Sequence, residues 1–348
     1  MIKLLIVDDS ALMRRLLKNI FEEHGGFELR TARNGKEAIE LNRTFQPDVI
    51  TLDINMPEMD GLTALSYIMV ERPVPVIMFS SLTEKGALAT FEALNMGAVD
   101  YVAKPEGTVS HNIDVVKKEL IYKVKAAAKA KIKKNGHSKP IFKSVEKRPA
   151  PKLPKTLDTG GIVIIGVSTG GPSTLEKILP EIPATFPWPI VVVQHMPKAF
   201  TGAFAKRLDQ ICELKVVEAA TPMTITPGHI YIAKGGADAI IGIRGGKLSI
   251  IPRPEDPKFL WHPSVEVLGR SVLKNLDCKK VIAVMLTGMG YDGADAFAEI
   301  KRNGGRTIAE SEESAVVFGM PAELIKRGGA TVVLPAEKIA SKLIAWVK

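Results

Sequence analysis

The chain has 348 residues, of which 46% are hydrophobic and 24% charged, so two ordinary globular domains are expected and a disordered or fibrous chain is excluded. Its net charge of +9 raises nucleic-acid binding, but residues 117–155 hold thirteen lysines and Arg148 against Glu119 and Glu146. That stretch is net +12 and the remainder net −3, so the basicity belongs to one segment and not to a folded reader of DNA.

Cys212 and Cys278 are the only cysteines, too few and too far apart for a disulfide framework or a metal-ligand spacing, which fits a reducing compartment. The opening MIKLLIVDDS has an apolar run too short for a signal peptide, and no stretch reaches the roughly 18 apolar residues of a membrane helix. The expectation is a soluble, cytoplasmic protein with no membrane insertion.

Apolar runs at Leu4–Val7, Phe27–Thr31 (the weakest), Val49–Leu52, Val76–Phe79 and Tyr101–Val102 predict strands. Helical patterns at Ala11–Glu23, Lys36–Arg43, Leu62–Val70 and Lys85–Asn95 lie between them, with Ser10 as an N-cap. Such alternation predicts a parallel sheet covered on both faces. A fifth helix begins near Ile113 and runs into YKVKAAAKAKIKK, where its apolar face fades. From about Asn135 to Asp158 the Lys, Pro and Ser content, including Pro140, Pro149, Pro151 and Pro154, predicts a solvated linker. The expected domains are 1–120, a basic linker over 121–158, and 159–348.

The second domain alternates again. Strands are expected at Ile162–Val167, Ile190–Gln194, Leu214–Ala219, Val281–Thr287, Arg306–Ala309 and Ala330–Leu334. Helices are expected at Ser173–Leu179, Phe200–Ile211, Ser264–Asn275, Ala294–Arg302 and Glu337–Val347. Short β segments across Gly228–Ile251, broken by Gly235–Gly236 and Gly245–Gly246, predict antiparallel hairpins inserted into a doubly wound, mostly parallel α/β fold.

In open parallel sheets chemistry gathers at the carboxyl ends of the strands. Asp8 and Asp9 end the first strand, Asp53 the third, Ser80 the fourth and Lys104 the fifth. Three carboxylates at one edge repel, and Mg²⁺, a hard cation with oxygen ligands, is the natural counter-charge. A carboxylate facing a cation and a lysine suits in-line attack on a phosphoryl group. The motifs VDDS, LDINMPEMDG, MFSS and YVAKP resemble the receiver domain of two-component response regulators over about residues 1–120. That resemblance implies a (βα)5 fold, Asp53 as phosphoacceptor, and Asp8, Asp9, Asp53 and the Asn55 carbonyl as Mg²⁺ ligands. It further implies phosphoryl contacts from Lys104 and Ser80, with Tyr101 as an aromatic switch. Ser80, the first hydroxyl after the apolar strand, is taken ahead of Ser81.

GIVIIGVSTGGPSTLEKIL reads as strand, tight turn and helix, with Ser168 at the turn and Pro172 in the first helical turn. A Walker A loop lacks its lysine after Gly171, and a dinucleotide fingerprint lacks its second glycine. A catalytic serine and a plain turn remain open. His195 ends PIVVVQHMP, the strand next in chain order, and is the best-placed base among six histidines. Asp292 follows the strand VIAVMLTGMG and is preferred over Asp295, which lies further into the helix. The order Ser168, His195, Asp292 differs from that of α/β-hydrolases, but triads are defined by geometry and role.

The motifs GVSTGGPSTL, VVQHMP, PGHIYIA, TGMGYDGA and AESEESAVVFGMP resemble the catalytic domain of the chemotaxis protein-glutamate methylesterase/glutaminase (CheB) family over about residues 158–347. The resemblance implies Ser168, His195 and Asp292 as the triad, Thr169 and Met289 near the oxyanion site, and Gly171 for close backbone approach. It implies demethylation, with deamidation, of glutamyl and glutaminyl side chains on cytoplasmic helices of methyl-accepting chemoreceptors. A chemotaxis histidine kinase would be the phosphodonor, and the esterase step would need no cofactor. A catalytically dead scaffold and a hydrolase of small esters are the competing readings of the second domain.

Overall fold

The computed structural model describes residues 1–81, 83–104, 113–130 and 160–347; residues 131–158 of the linker expected over 121–158 lie outside the described residues, as do Pro105 and His111. The chain forms two compact units, Met1–Pro140 and Ile141–Lys348.

The first unit runs β1 (Ile2–Val7), α1 (Ala11–His24), β2 (Phe27–Ala32), α2 (Gly35–Thr44), β3 (Val49–Asp53), α3 (Gly61–Glu71), β4 (Val76–Ser80), α4 (Glu84–Asn95), β5 (Asp100–Ala103) and α5 (Ile113–Ala127). All strands are parallel, in the order β2-β1-β3-β4-β5. This is the covered parallel sheet expected from the alternating pattern and the (βα)5 fold that the receiver resemblance implies. β3 and β4 are buried along their whole length because helices cover both faces. Ser10 caps α1 by accepting the Met13 N–H, as its position before the first helical pattern predicted. One expectation is corrected. The apolar face of α5 does not fade in the described part of YKVKAAAKAKIKK: beyond Leu120 and Ile121, Val124, Ala126 and Ala127 are also buried, so the helix packs to its end at Ala127. Alanine supplies that face, and its small side chain gives a weak periodic signal.

The second unit runs β6 (Ile162–Val167), α6 (Gly171–Ile178), β7 (Ile190–Gln194), α7 (Lys198–Ile211), β8 (Lys215–Ala219), β9 (Met223–Thr224), β10 (His229–Ala233), β11 (Asp238–Arg244) and β12 (Lys247–Arg253). It continues with α8 (Val265–Asn275), β13 (Val281–Met285), α9 (Ala294–Arg302), β14 (Arg306–Glu310), α10 (Met320–Lys326), β15 (Val332–Leu334) and α11 (Ala336–Val347). Seven strands form a parallel sheet, β15-β14-β13-β6-β7-β10-β8, and three form an antiparallel sheet, β11-β12-β9. The expected insertion is therefore present but smaller than predicted. β10 belongs to the parallel sheet between β7 and β8, and Gly235–Gly236 joins the two sheets instead of turning a hairpin. Gly245 and Gly246 do make the hairpin turn, with φ of 56° and 73° as a type I′ turn needs. The short α10 has no counterpart among the expected helices.

The order β13-β6-β7 puts the three strands that carry the candidate triad side by side. Chain direction away from β6 reverses there, which makes this edge the topological switch point of the sheet. Among the described residues, no helix is long and apolar enough to cross a membrane.

Candidate functional sites

At the carboxyl edge of the first sheet, Asp8 and Asp53 are buried and Asp9 is exposed. One carboxylate oxygen from each lies within 4.8 Å of the other two. Lys104 Nζ bridges Asp8 Oδ2 at 2.9 Å and Asp53 Oδ2 at 2.8 Å. Its own N–H donates to the Ser80 carbonyl, which ties the ends of β4 and β5 together. Arg14 holds the start of α1 against this edge by donating to the Asp8 and Asp9 carbonyls at 2.7 and 2.9 Å.

Burial pushes the Asp53 carboxyl above its ordinary pKa, and neighbouring Asp8 adds to this, although Lys104 opposes both. One lysine thus undercompensates three carboxylates. The donor set is all oxygen, compact and short of positive charge, which fits a hard divalent cation.

The other first-unit expectations are placed unevenly. The Asn55 N–H points to Asp53 Oδ1 at 3.4 Å. Ser80 reaches the same edge, but its buried hydroxyl donates to the Gly86 carbonyl at 3.2 Å and is not brought onto Asp53. Ser81, the alternative, lies 3.3 Å from the Thr83 hydroxyl. The Tyr101 ring is buried, with Lys123 Nζ 4.9 Å from its centroid, and burial raises its phenol well above the usual range.

In the second unit, Ser168 follows β6 directly and its N–H donates to the Thr287 carbonyl at 2.9 Å. The His195 N–H donates to the Val167 carbonyl at 3.1 Å, so the histidine sits across from the residue before Ser168. His195 Nε2 lies 2.8 Å from Asp292 Oδ2. His195 Nδ1 is buried, with no hydrogen-bond partner among the described residues. Orienting the ring by Nε2 leaves Nδ1 unpaired, and the Ser168 hydroxyl is not brought into a hydrogen bond with it.

Asp292 is itself held tightly. It accepts from Val265 N at 2.6 Å, Ser264 Oγ at 2.8 Å and Glu266 N at 3.0 Å, all at the N-terminus of α8. Burial pushes its carboxyl upward, but the His195 contact and these backbone donors outweigh that and hold it below the ordinary range. Asp292 is therefore ionised beside the imidazole. Asp295, the competitor, instead pairs with Arg327 at 2.6 Å.

Thr169 is buried and its carbonyl accepts from the Thr287 hydroxyl at 2.9 Å. Met289 lies in the loop between β13 and Asp292, half-buried between Gly288 and Gly290. A Cβ on Gly171 would lie 2.0 Å from Gln194 Oε1, so only glycine admits this close approach.

Several supports escaped the sequence reading. Gln194 donates from Nε2 to the carbonyls of Ser168 and His195, both at 3.0 Å, and so spans the two strand ends. Trp261 stacks on His195 with ring centroids 5.5 Å apart and planes 4° apart. Buried Glu310 takes the Thr287 N–H at 2.7 Å, behind the residue that receives the Ser168 N–H. Only the helix start at Ser264 had a visible signal, because a helix N-terminus is a ready site for an anion.

Comparison with known proteins bears on both units. Residues 163–343 match the family model described as CheB methylesterase, and residues 4–111 match that of the response regulator receiver domain. Over its full length the chain is 55% identical to protein-glutamate methylesterase/protein-glutamine glutaminase 3 of Rhodospirillum rubrum, covering 96% of that protein. It is 43% identical to the protein-glutamate methylesterase/protein-glutamine glutaminase of Archaeoglobus fulgidus, over 99% of this chain and 98% of that one. The CheB methylesterase catalytic domain of Thermotoga maritima superposes with a TM-score of 0.52 at 45% identity, covering 54% of this chain and 99% of that domain.

Proposed function

Because the chain belongs to the CheB methylesterase family and carries a response regulator receiver domain, we propose that it is a phosphorylation-regulated protein-glutamate methylesterase and glutaminase acting on chemoreceptor helices through Ser168, His195 and Asp292. The observation that carries the site assignment is the 2.8 Å pair between His195 Nε2 and Asp292, with Nδ1 buried and unpaired on the strand end adjoining Ser168.

The residues divide the work as follows. His195 Nδ1 takes the Ser168 hydroxyl proton as the oxygen attacks the γ-carbonyl of a glutamyl methyl ester. Asp292, ionised, fixes the imidazole and stabilises its positive charge. Backbone N–H groups near Thr169 and Met289 receive the developing oxyanion. His195 returns the proton to the departing methoxide, which leaves as methanol. It then activates water, which cleaves the glutamyl–Ser168 ester and leaves a free carboxylate. Ammonia in place of methanol makes the same site a glutaminase.

In the first unit Asp53 is the phosphoacceptor. Asp8, Asp9, Asp53 and the Asn55 carbonyl would hold Mg²⁺, which would supply neutralisation of charge on the phosphoryl oxygens. Lys104 contacts the phosphoryl group. Ser80 does so once its hydroxyl leaves the Gly86 carbonyl, and Tyr101 reports that change as the switch. A chemotaxis histidine kinase supplies the phosphoryl group, and the protein works in the cytoplasm.

The test is methanol release from methylated receptor membranes, with and without acetyl phosphate and Mg²⁺. Release is expected to rise with the phosphodonor, to lose that response in Asp53→Ala, and to fall about 10⁴-fold or more in Ser168→Ala. Full activity in Ser168→Ala overturns the assignment.

A further inference from the structure

The residues that hold His195 and Asp292 share one origin. Asp238 opens β11 in the antiparallel sheet and is 2% exposed. Its Oδ1 accepts the Ser264 N–H at 2.9 Å, and its Oδ2 accepts the Asp256 N–H at 2.9 Å. His262 Nδ1 lies 3.1 Å from both oxygens and donates to them. One buried carboxylate therefore closes the segment 256–264 upon itself.

That segment supports the candidate triad in two ways. Trp261 covers the face of the His195 ring. Ser264 Oγ donates to Asp292 Oδ1, and the next two residues supply the N–H groups of Val265 and Glu266. His195 is thus held on its edge by Asp292 and on its face by Trp261, and both supports depend on the loop that Asp238 closes. The body of α8 has independent anchorage through buried Val265, Leu268 and Val272. The loop before it depends on the carboxylate, because residues 253–255 and 257–258 are exposed.

We propose that Asp238 is a positioning residue for hydrolysis, setting the orientation of His195 and Asp292 from the inserted antiparallel sheet; this rests on the triad reading above. The role requires a carboxylate. Three N–H donors converge on two oxygens, and an amide of the same shape offers one oxygen and turns an NH₂ toward a donor. A misplacement of about 1 Å at a reacting centre costs on the order of 10²-fold in rate.

The test uses the full chain with acetyl phosphate and Mg²⁺ and a fluorophosphonate probe, whose labelling of Ser168 reads nucleophile activation whatever the natural substrate. In Asp238→Asn, labelling at Ser168 is expected to slow by about 10–100-fold. With the methyl ester substrate the loss should fall on kcat, with KM within about twofold. Ser264→Ala is expected to slow labelling about tenfold, and the double variant to be scarcely slower than Asp238→Asn, because both act through one contact. Losses that add independently, or wild-type labelling by folded Asp238→Asn, overturn the proposal. Should Asp238→Asn not fold, Ser264→Ala decides: a slower rate with an intact thermal transition supports the proposal, and an unchanged rate overturns it. Absence of Ser168 labelling in the wild type overturns the triad reading and this proposal together. Labelling without methanol release overturns the substrate reading alone.

Discussion

Asp53 at the end of β3 and Asp292 in the loop after β13 are both buried aspartates, yet their surroundings drive them in opposite directions. Four donors surround Asp292, and its carboxyl is held low. A depressed folded pKa contributes stability that is present above the unfolded value of about 4 and is lost as pH falls through the folded value. Asp292→Asn keeps the shape but presents an NH₂ to at least one donor, leaves buried polar groups unpaired and favours the wrong imidazole tautomer. We expect a loss of about 10⁴-fold in kcat and about 1–3 kcal/mol in stability, measured by ester hydrolysis and by urea unfolding at pH 7. The stability gap between wild type and variant should narrow as pH drops below 4. Asp53 is the reverse case: burial outweighs Lys104 and its carboxyl is raised. A raised folded pKa means that ionising Asp53 costs the fold stability, increasingly as pH rises from about 4 through the folded value. Asp53→Asn removes that cost while Lys104 keeps Asp8. In metal-free buffer at pH 7 it is expected to raise the Tm of the first unit by about 2–5 °C. Mg²⁺ should raise the wild-type Tm and leave the variant nearly unmoved. A lower Tm in Asp53→Asn would show that the Lys104–Asp53 pair outweighs the desolvation of the carboxylate.

The turn from β6 into α6 shows how an element's geometry imposes a residue type. A Cβ on Gly171 needs space occupied by Gln194 Oε1 at 2.0 Å and Val167 Cγ2 at 2.6 Å. Gln194 is buried and already spans the Ser168 and His195 carbonyls, so it cannot yield without moving the two strand ends apart. Gly171→Ala should therefore lower kcat by about 10²-fold and cost about 1–3 kcal/mol, checked by kinetics and thermal unfolding of one preparation. The same element scale marks where sequence reading succeeds. β1, β3, β4, β6, β7 and β13 are apolar runs bounded by turns, and the rule that chemistry sits at strand carboxyl ends points to residues that the fold does bring together, Asp8 with Asp9 and Asp53, and His195 with Asp292. HIYIA reads as part of the hairpins because five residues between glycine-rich turns do not declare their partner. Only pairing with β7 and β8 makes β10 a parallel strand. The seven-residue α10, opening on Met-Pro, is too short for a helical period to appear. The supports Gln194, Trp261, Asp238 and Glu310 escaped for a different reason. Each acts through a neighbour distant in sequence, such as Ser264 for Asp238 or Thr287 for Glu310, and local pattern carries no record of such contacts.

At the scale of the whole chain, two complete α/β units share one polypeptide, and each has its own sheet and its own strand-end site. Ser168, His195 and Asp292 all lie in the second unit, so the proposed triad draws no side chain from the described residues of the first. The Thermotoga maritima catalytic domain, 99% of which is covered by 54% of this chain, shows that a unit of this family forms its fold without a receiver attached. A tethered domain acts at an effective concentration near the millimolar range, so even a weak receiver contact can restrain substrate access. If phosphorylation of Asp53 relieves such a restraint, deleting residues 1–155 should remove it permanently. We expect basal methanol release to rise by about tenfold or more and the acetyl phosphate response to vanish, a change that a restraint of about 1.4 kcal/mol suffices to produce. The full chain treated with acetyl phosphate and Mg²⁺ should approach the rate of the truncated one. A truncated protein that folds but releases methanol more slowly than the untreated full chain would reverse the sign of the coupling. The receiver would then help to present the substrate, and phosphorylation would strengthen a contact instead of breaking one.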